Sequence, residues 1–230
     1  MSKAVLSCHK LLFGYDKPLS VALDWDVKPG EIWAIAGSNG CGKTTLMRTI
    51  LGFIKPMGGQ VELTPGRSYV SQMSELQAVP ATVEDVIAMG LERRFSGFIP
   101  FYRYKHRNEV KKLIQGFELE HLKKRSIHEI SPGEWQRTLL AQSVIRKPEI
   151  IFLDEATSAM DPQHTHDSFE YLIHFAQKAN TAVAAISHSL YAQLDLITHL
   201  LIFTEDGYSI GTVEEVLKKH PEIRDVGRIE

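Results

Sequence analysis

Apolar residues along this chain fall into two rhythms. Short unbroken apolar runs bounded by turn-forming residues alternate with longer stretches in which apolar side chains recur every three or four positions. The short runs suit strands covered on both faces, and the longer stretches suit helices with one covered face. Their alternation predicts an α/β fold around a mixed, mostly parallel sheet. The opening runs, 5–13 and 19–27, are separated by Gly14, Tyr15, Asp16, Lys17 and Pro18, which predicts two strands joined by a turn and an antiparallel β layer at the N-terminus. The run 32–36 leads through a glycine-rich loop into a helix over 46–51. Two more apolar runs, 150–153 and 181–186, end in Asp154-Glu155 and Ser187-His188. In an open parallel sheet the carboxyl ends of the strands form the ligand edge, so these three polar strand ends are expected to converge. Between 73 and 148 the β rhythm fades and helical patterns at 83–90, 108–117 and 134–146 take over. The expectation is a single domain over 1–230, with 1–72 and 149–230 forming the α/β core and 73–148 an inserted helical subdomain.

Composition narrows the function classes. At 230 residues and 43% hydrophobic content the chain can bury a sizeable core without disulfides or metals. A formal net charge of −2 lacks the basic excess that phosphate neutralisation demands, so no nucleic-acid partner is expected. Cys8 and Cys41 are too few for a disulfide framework and read as ordinary thiols of a reducing compartment. No secretory signal and no apolar stretch of membrane-spanning length is present, so a transport role would require separate membrane subunits.

The chemistry concentrates at the strand ends. Gly37, Gly42, Lys43 and Thr44 match GxxxxGK[ST] after a strand and before a helix. The loop completed by Ser38, Asn39, Gly40, Cys41 and Thr45 would turn backbone N–H groups toward phosphate oxygens, with the helix N-terminus adding a favourable dipole. Lys43 would reach the β and γ phosphates of ATP, and the Thr44 hydroxyl is suited to Mg²⁺. Cys41 reads either as a small residue that fits the loop or as a redox-sensitive thiol. Asp154 is the expected acidic partner of Mg²⁺, and Glu155 is placed to orient or deprotonate a water. His188 reads as a strand-terminal surface histidine or as a γ-phosphate contact.

On these motifs the whole chain resembles the ATP-binding cassette ATPases, with Walker A at 37–45 and Walker B at 150–155. The resemblance implies further roles: Tyr15 as the aromatic that stacks on adenine, Gln72 as the Q-loop glutamine near the metal, Ser158-Ala159-Met160-Asp161 as the D-loop, and His188 as the switch histidine. It also implies a head-to-tail homodimer in which the signature segment of one subunit, here Ser131 and Gly133, closes over ATP held by the other. From the bare sequence, Tyr15 also has a reading as an exposed turn aromatic and Gln72 one as an ordinary polar loop residue. The signature departs from LSGGQ: Ile130-Ser131-Pro132-Gly133-Glu134 removes one backbone donor at Pro132 and adds a negative charge at Glu134. The same residues predict a capping box, with Ser131 at N-cap, Pro132 at N1 and Glu134 at N3. Walker B continues as Glu155-Ala156-Thr157 where many relatives carry proline.

Five aromatics among basic residues in 95–104 suit a satellite core, a groove for a short helix from a membrane subunit, or base stacking. This segment, with Val86 to Gly90 and Gly211 to Leu217, resembles importer ATPases for metal chelates such as iron–siderophore, haem or cobalamin, and for zinc or manganese. The resemblance implies polytopic permease subunits as partners, an extracytoplasmic substrate-binding protein acting indirectly, and a cytoplasmic location on the inner face of the membrane. An exporter ATPase or a soluble ATP-dependent switch are the alternatives. His164 and His166 with Asp167 read as solvated surface rather than as metal ligands.

Overall fold

The computed structural model describes residues 3–71, 80–91, 106–156, 159–186 and 194–221. Its larger sheet has six strands: β3 (Ile32–Ala36), β5 (Arg67–Ser71), β6 (Ile150–Asp154), β7 (Ala182–Ile186), β8 (His199–Thr204) and β9 (Gly207–Thr212). They lie in the order β5-β6-β7-β3-β8-β9, all parallel except the β8–β9 hairpin. A second, antiparallel sheet pairs β1 (Leu6–Leu12) with β2 (Leu23–Val27) on one side and β4 (Gly58–Leu63) on the other. The helices are α1 (Lys43–Ile50), α2 (Val83–Met89), α3 (Arg107–Gly116), α4 (Pro132–Val144), α5 (Pro162–Ala179) and α6 (Val213–Lys219). Every described element between 80 and 146 is helical.

The pleat of the central strands divides the core in two. Ile150, Phe152, Ala184, Trp33 and Ile35 pack with the small sheet and with Leu46 and Met47 of α1. Their neighbours Ile151, Leu153, Val183, Ala185 and Ala34 face the opposite layer, where α4 contributes Leu140 and Val144 and α5 contributes Phe169, Leu172 and Ile173. Successive strand residues point to opposite faces, and both faces are covered, so these strands read as unbroken apolar runs. The alternation also carries Asp154 to the α1 side, two residues beyond Phe152.

Three differences from the sequence pattern have physical reasons. The second strand begins at Leu23 rather than 19, because Leu19 and Val21 are apolar but stand outside the sheet, 41% and 54% exposed. Strand β4 and strand β9 carry no apolar run; each pairs along one side only in its sheet and is largely exposed or half-buried. Helix α1 begins at Lys43 itself, three residues before the predicted start.

Phe152 is fully buried at the centre of the layer between the two sheets. Phe152→Ala is expected to cost about 3–5 kcal/mol of unfolding free energy, read from the shift of a urea midpoint at unchanged slope.

Candidate functional site

The loop after β3 takes its shape from glycines at positive φ. Gly37 has φ 138° and Gly42 has φ 104°. A Cβ on Gly42 would meet Leu19 Cδ1 at 2.9 Å, and one on Gly37 would meet Cys41 Sγ at 2.9 Å, so both need glycine for conformation and for space. Gly42 is also the N-cap of α1 and gives its first turn no side-chain hydrogen bond. The opening amides of the helix are therefore free of a cap, the arrangement that suits an anion. Lys43 is 8% exposed and folds back over the loop, donating from Nζ to the Gly37 carbonyl at 2.8 Å and the Ser38 carbonyl at 3.0 Å. The Cys41 amide donates to the Ser38 carbonyl at 3.3 Å, which closes the turn that includes Asn39 and Gly40.

Two of the metal candidates meet across 110 residues of sequence. Thr44 Oγ1 donates to Asp154 Oδ1 at 2.9 Å, and Asp154 is 4% exposed. With its proton committed to the carboxylate, the Thr44 hydroxyl keeps its lone pairs for another partner. A hydroxyl and a carboxylate are hard oxygen donors of the kind Mg²⁺ selects, so this pair fits that ion. The other Asp154 oxygen accepts from the phenol of Tyr69 at 3.2 Å, a contact no motif announces. Burial and the Asp154 carboxylate push the Tyr69 phenol up to about 12, against a smaller opposing effect of Arg48, so it remains a donor at neutral pH.

At Glu155 the backbone leaves the strand. Its φ is 50°, a left-handed conformation that costs a non-glycine residue about 1–3 kcal/mol, and its amide is anchored on the Ile186 carbonyl at 2.9 Å. The strained turn thus sits directly after the buried Asp154 and is tied to the end of β7. Strands β5 and β7 end at Ser71 and Ile186, which pair with Asp154 on its two sides. Gln72 and His188 themselves lie outside the described residues, as do Ser158 and the aromatic segment 95–104. Tyr15 is 65% exposed in the turn between β1 and β2. That turn reaches the phosphate loop through Leu19, which stands over Gly42.

The segment 131–134 forms a separate place. Ser131 Oγ accepts from the Glu134 amide at 3.3 Å, and Glu134 Oε2 accepts from the Ser131 amide at 2.7 Å, so the predicted capping box is present at the start of α4 with Pro132 at N1. Asp161 is the N-cap of α5, its Oδ1 accepting from the His164 amide at 3.1 Å. The two segments are tied together: Gln136, 5% exposed, accepts from the Ala159 amide at 3.0 Å, and a Cβ on Gly133 would come within 3.1 Å of the Ala159 carbonyl. Between them lies a cleft of about 300 Å³ lined by Ser131, Gly133, Glu134, Arg137, Asp161 and His164, and by none of the phosphate-loop residues. His164 pairs with Glu118 and Asp161, and His166 with Glu170. Among the described residues no group of three or more His, Cys, Asp or Glu side chains is arranged to hold a metal, and no helix is long and apolar enough to cross a membrane.

Partial burial acts to raise the Glu134 carboxyl, but the Ser131 amide and hydroxyl and the charges of Arg137 and His121 outweigh it and hold it below its ordinary 4.5. A carboxyl depressed by folding contributes stability above its unfolded value and loses it as the pH falls through the folded one. Glu134→Gln is therefore expected to remove a stability increment that the wild type shows above pH 4.5 and loses on further acidification. Urea titrations of the two proteins down to about pH 3 check this, the difference shrinking at the acid end. Ser131→Ala removes the other half of the box and is expected to cost about 1 kcal/mol in the same titration at neutral pH.

Comparison with known proteins agrees with this geometry. Residues 21–158 match the family model described as ABC transporter. The zinc import ATP-binding protein ZnuC of Jannaschia sp. (strain CCS1) is 33% identical over 201 residues, 86% of this chain and 77% of that protein. The molybdate import ATP-binding protein MolC of Haemophilus influenzae is 29% identical, over 94% of this chain and 85% of its own length. Among solved structures, a metal-chelate type ABC transporter in an inward-facing conformation superposes with a TM-score of 0.78 at 28% identity, covering 94% of this chain and 86% of that one. The chain belongs to the ABC transporter family, as an ATP-binding domain that hydrolyses ATP in support of transport.

Proposed function

We propose that this chain energises an importer for a metal ion or metal chelate, and that it does so as a head-to-tail homodimer closing on two ATP molecules. The observation that carries the reading is the division of the site. The cradle of Lys43, the glycine loop and the Thr44–Asp154 pair lies apart from the cleft of Ser131, Gly133 and Asp161. Two halves that share no lining residue suit completion by a second copy. In this account residues 37–45 hold the phosphates, Lys43 reaching the β and γ groups, and Tyr15 stacks on adenine. Thr44, Asp154 and Gln72 would hold Mg²⁺, which would supply positive charge to offset that of the phosphates. Glu155 orients or deprotonates the attacking water and His188 holds the γ-phosphate, while Ser131, Gly133 and Asp161 approach from the opposite subunit. Residues 73–148 act as the helical subdomain that carries the signature, against the core of 1–72 and 149–230. The names of the relatives, for zinc and molybdate import, and the metal-chelate type of the structural neighbour support the importer reading. Such a subunit works with polytopic permease subunits on the inner face of the membrane, and through them with an extracytoplasmic substrate-binding protein.

Steady-state hydrolysis of Mg·ATP by the purified chain tests the assignment. Glu155→Gln is expected to lower kcat by at least about 100-fold while leaving nucleotide binding intact. Equal turnover in the two proteins contradicts the role of Glu155. The capping box takes a lone pair of Ser131 Oγ and holds it to its own helix, so any turn of that hydroxyl toward phosphate on closure would cost up to about 1 kcal/mol. The double substitution Pro132→Gly with Glu134→Gln returns a backbone donor and removes a negative charge where the phosphate would arrive, and is expected to raise turnover or ATP-driven dimerisation about fivefold; no change in either contradicts this reading of the signature.

A further inference from the structure

Asp154 is held on both oxygens by neutral donors from different elements. Thr44 on α1 donates to Oδ1 at 2.9 Å, and Tyr69 on β5 donates to Oδ2 at 3.2 Å. The sheet register explains the second contact. Tyr69 pairs with Phe152 in the adjacent parallel strand and shares its face of the sheet, the face that also carries Asp154. The ring is fixed from outside by Phe53, which follows α1, at 5.8 Å between centroids. Thr44 and Tyr69 thus hold Asp154 between them, and the three groups tie α1 to β5 and β6. A carboxylate with 4% exposure has little water to complete its hydrogen bonds, so losing one donor would leave Oδ2 unsatisfied or let the group turn.

We propose that Tyr69 is a positioning residue for the metal side of the site: its phenol holds Asp154 Oδ2 so that Oδ1 keeps its place against Thr44. The inference rests on the assignment of Thr44 and Asp154 to Mg²⁺. Outer hydrogen bonds of this kind fix a ligand before the ion arrives, and their removal weakens metal binding about 10- to 100-fold. Tyr69→Phe keeps the ring on Phe53 and deletes only the donor. The test is equilibrium binding of a fluorescent ATP analogue, with Mg²⁺ and with EDTA, to the wild type, Tyr69→Phe, Asp154→Asn and the double variant. The expected result is that Tyr69→Phe loses about tenfold of the affinity gained from Mg²⁺. Affinity in EDTA should stay within about twofold, and Tyr69→Phe should add nothing in the Asp154→Asn background. Equal weakening with Mg²⁺ and with EDTA, or an unaltered gain from Mg²⁺, overturns the role of Tyr69. A wild type whose binding ignores Mg²⁺, with Asp154→Asn equally indifferent, overturns the metal assignment and this inference with it.

Discussion

A carboxylate buried at the end of a central strand, as Asp154 is, can be accommodated only where donors reach its oxygens. Much of the surrounding structure follows from that demand. The pleat of β6 sends Asp154 to the face occupied by α1. There the first turn of the helix offers Thr44, one residue after the lysine that the glycine loop presents. The apolar residues of α1 lock that turn against the sheet through Leu46 and Met47, so the helix packing and the placement of Thr44 are one event. The strained turn at Glu155 then takes the chain off the strand end, anchored to β7. The glycine loop, the Thr44–Asp154 pair and Glu155 lie at one edge because the parallel strands β3 and β6, with β7 between them, end there.

The parts of this arrangement that are local in sequence are the parts a reader of the sequence can find. Residues 32–45 carry strand, loop and helix start in one stretch, and the apolar run before Asp154 marks its own strand. The capping box at Ser131 and Glu134 is equally local. Contacts made by register or by chance proximity leave no such mark. Tyr69 is one apolar-polar residue in an edge strand, and only its pairing with Phe152 brings it to Asp154. Gln136 looks like any helix glutamine until the Ala159 amide is found beside it. Leu19 and Val21 mislead in the other direction, since apolar side chains that cover Gly42 and Gly207 give the same pattern as a strand.

The signature segment departs from LSGGQ in kind at Pro132 and Glu134. Ser131 serves its own helix as cap, Glu134 completes the box, and Gln136 ties the helix to the segment that leads into Asp161. These bonds make the cleft a shaped surface rather than a loose loop. In the proposed dimer a phosphate would meet Ser131 already held by its own helix, so turning that hydroxyl away from the cap would work against an interaction already made.

In the proposed mechanism ATP joins two copies of this chain through that cleft. The most direct measurement is the solution mass of Glu155→Gln by light scattering during size-exclusion chromatography, with and without Mg·ATP, repeated with Ser131→Ala added. The expected result is a monomer without nucleotide, a doubled mass with Mg·ATP, and loss of the doubling in Ser131→Ala. A protein that binds ATP yet stays monomeric at every concentration, or one whose dimer ignores both ATP and Ser131, would contradict it.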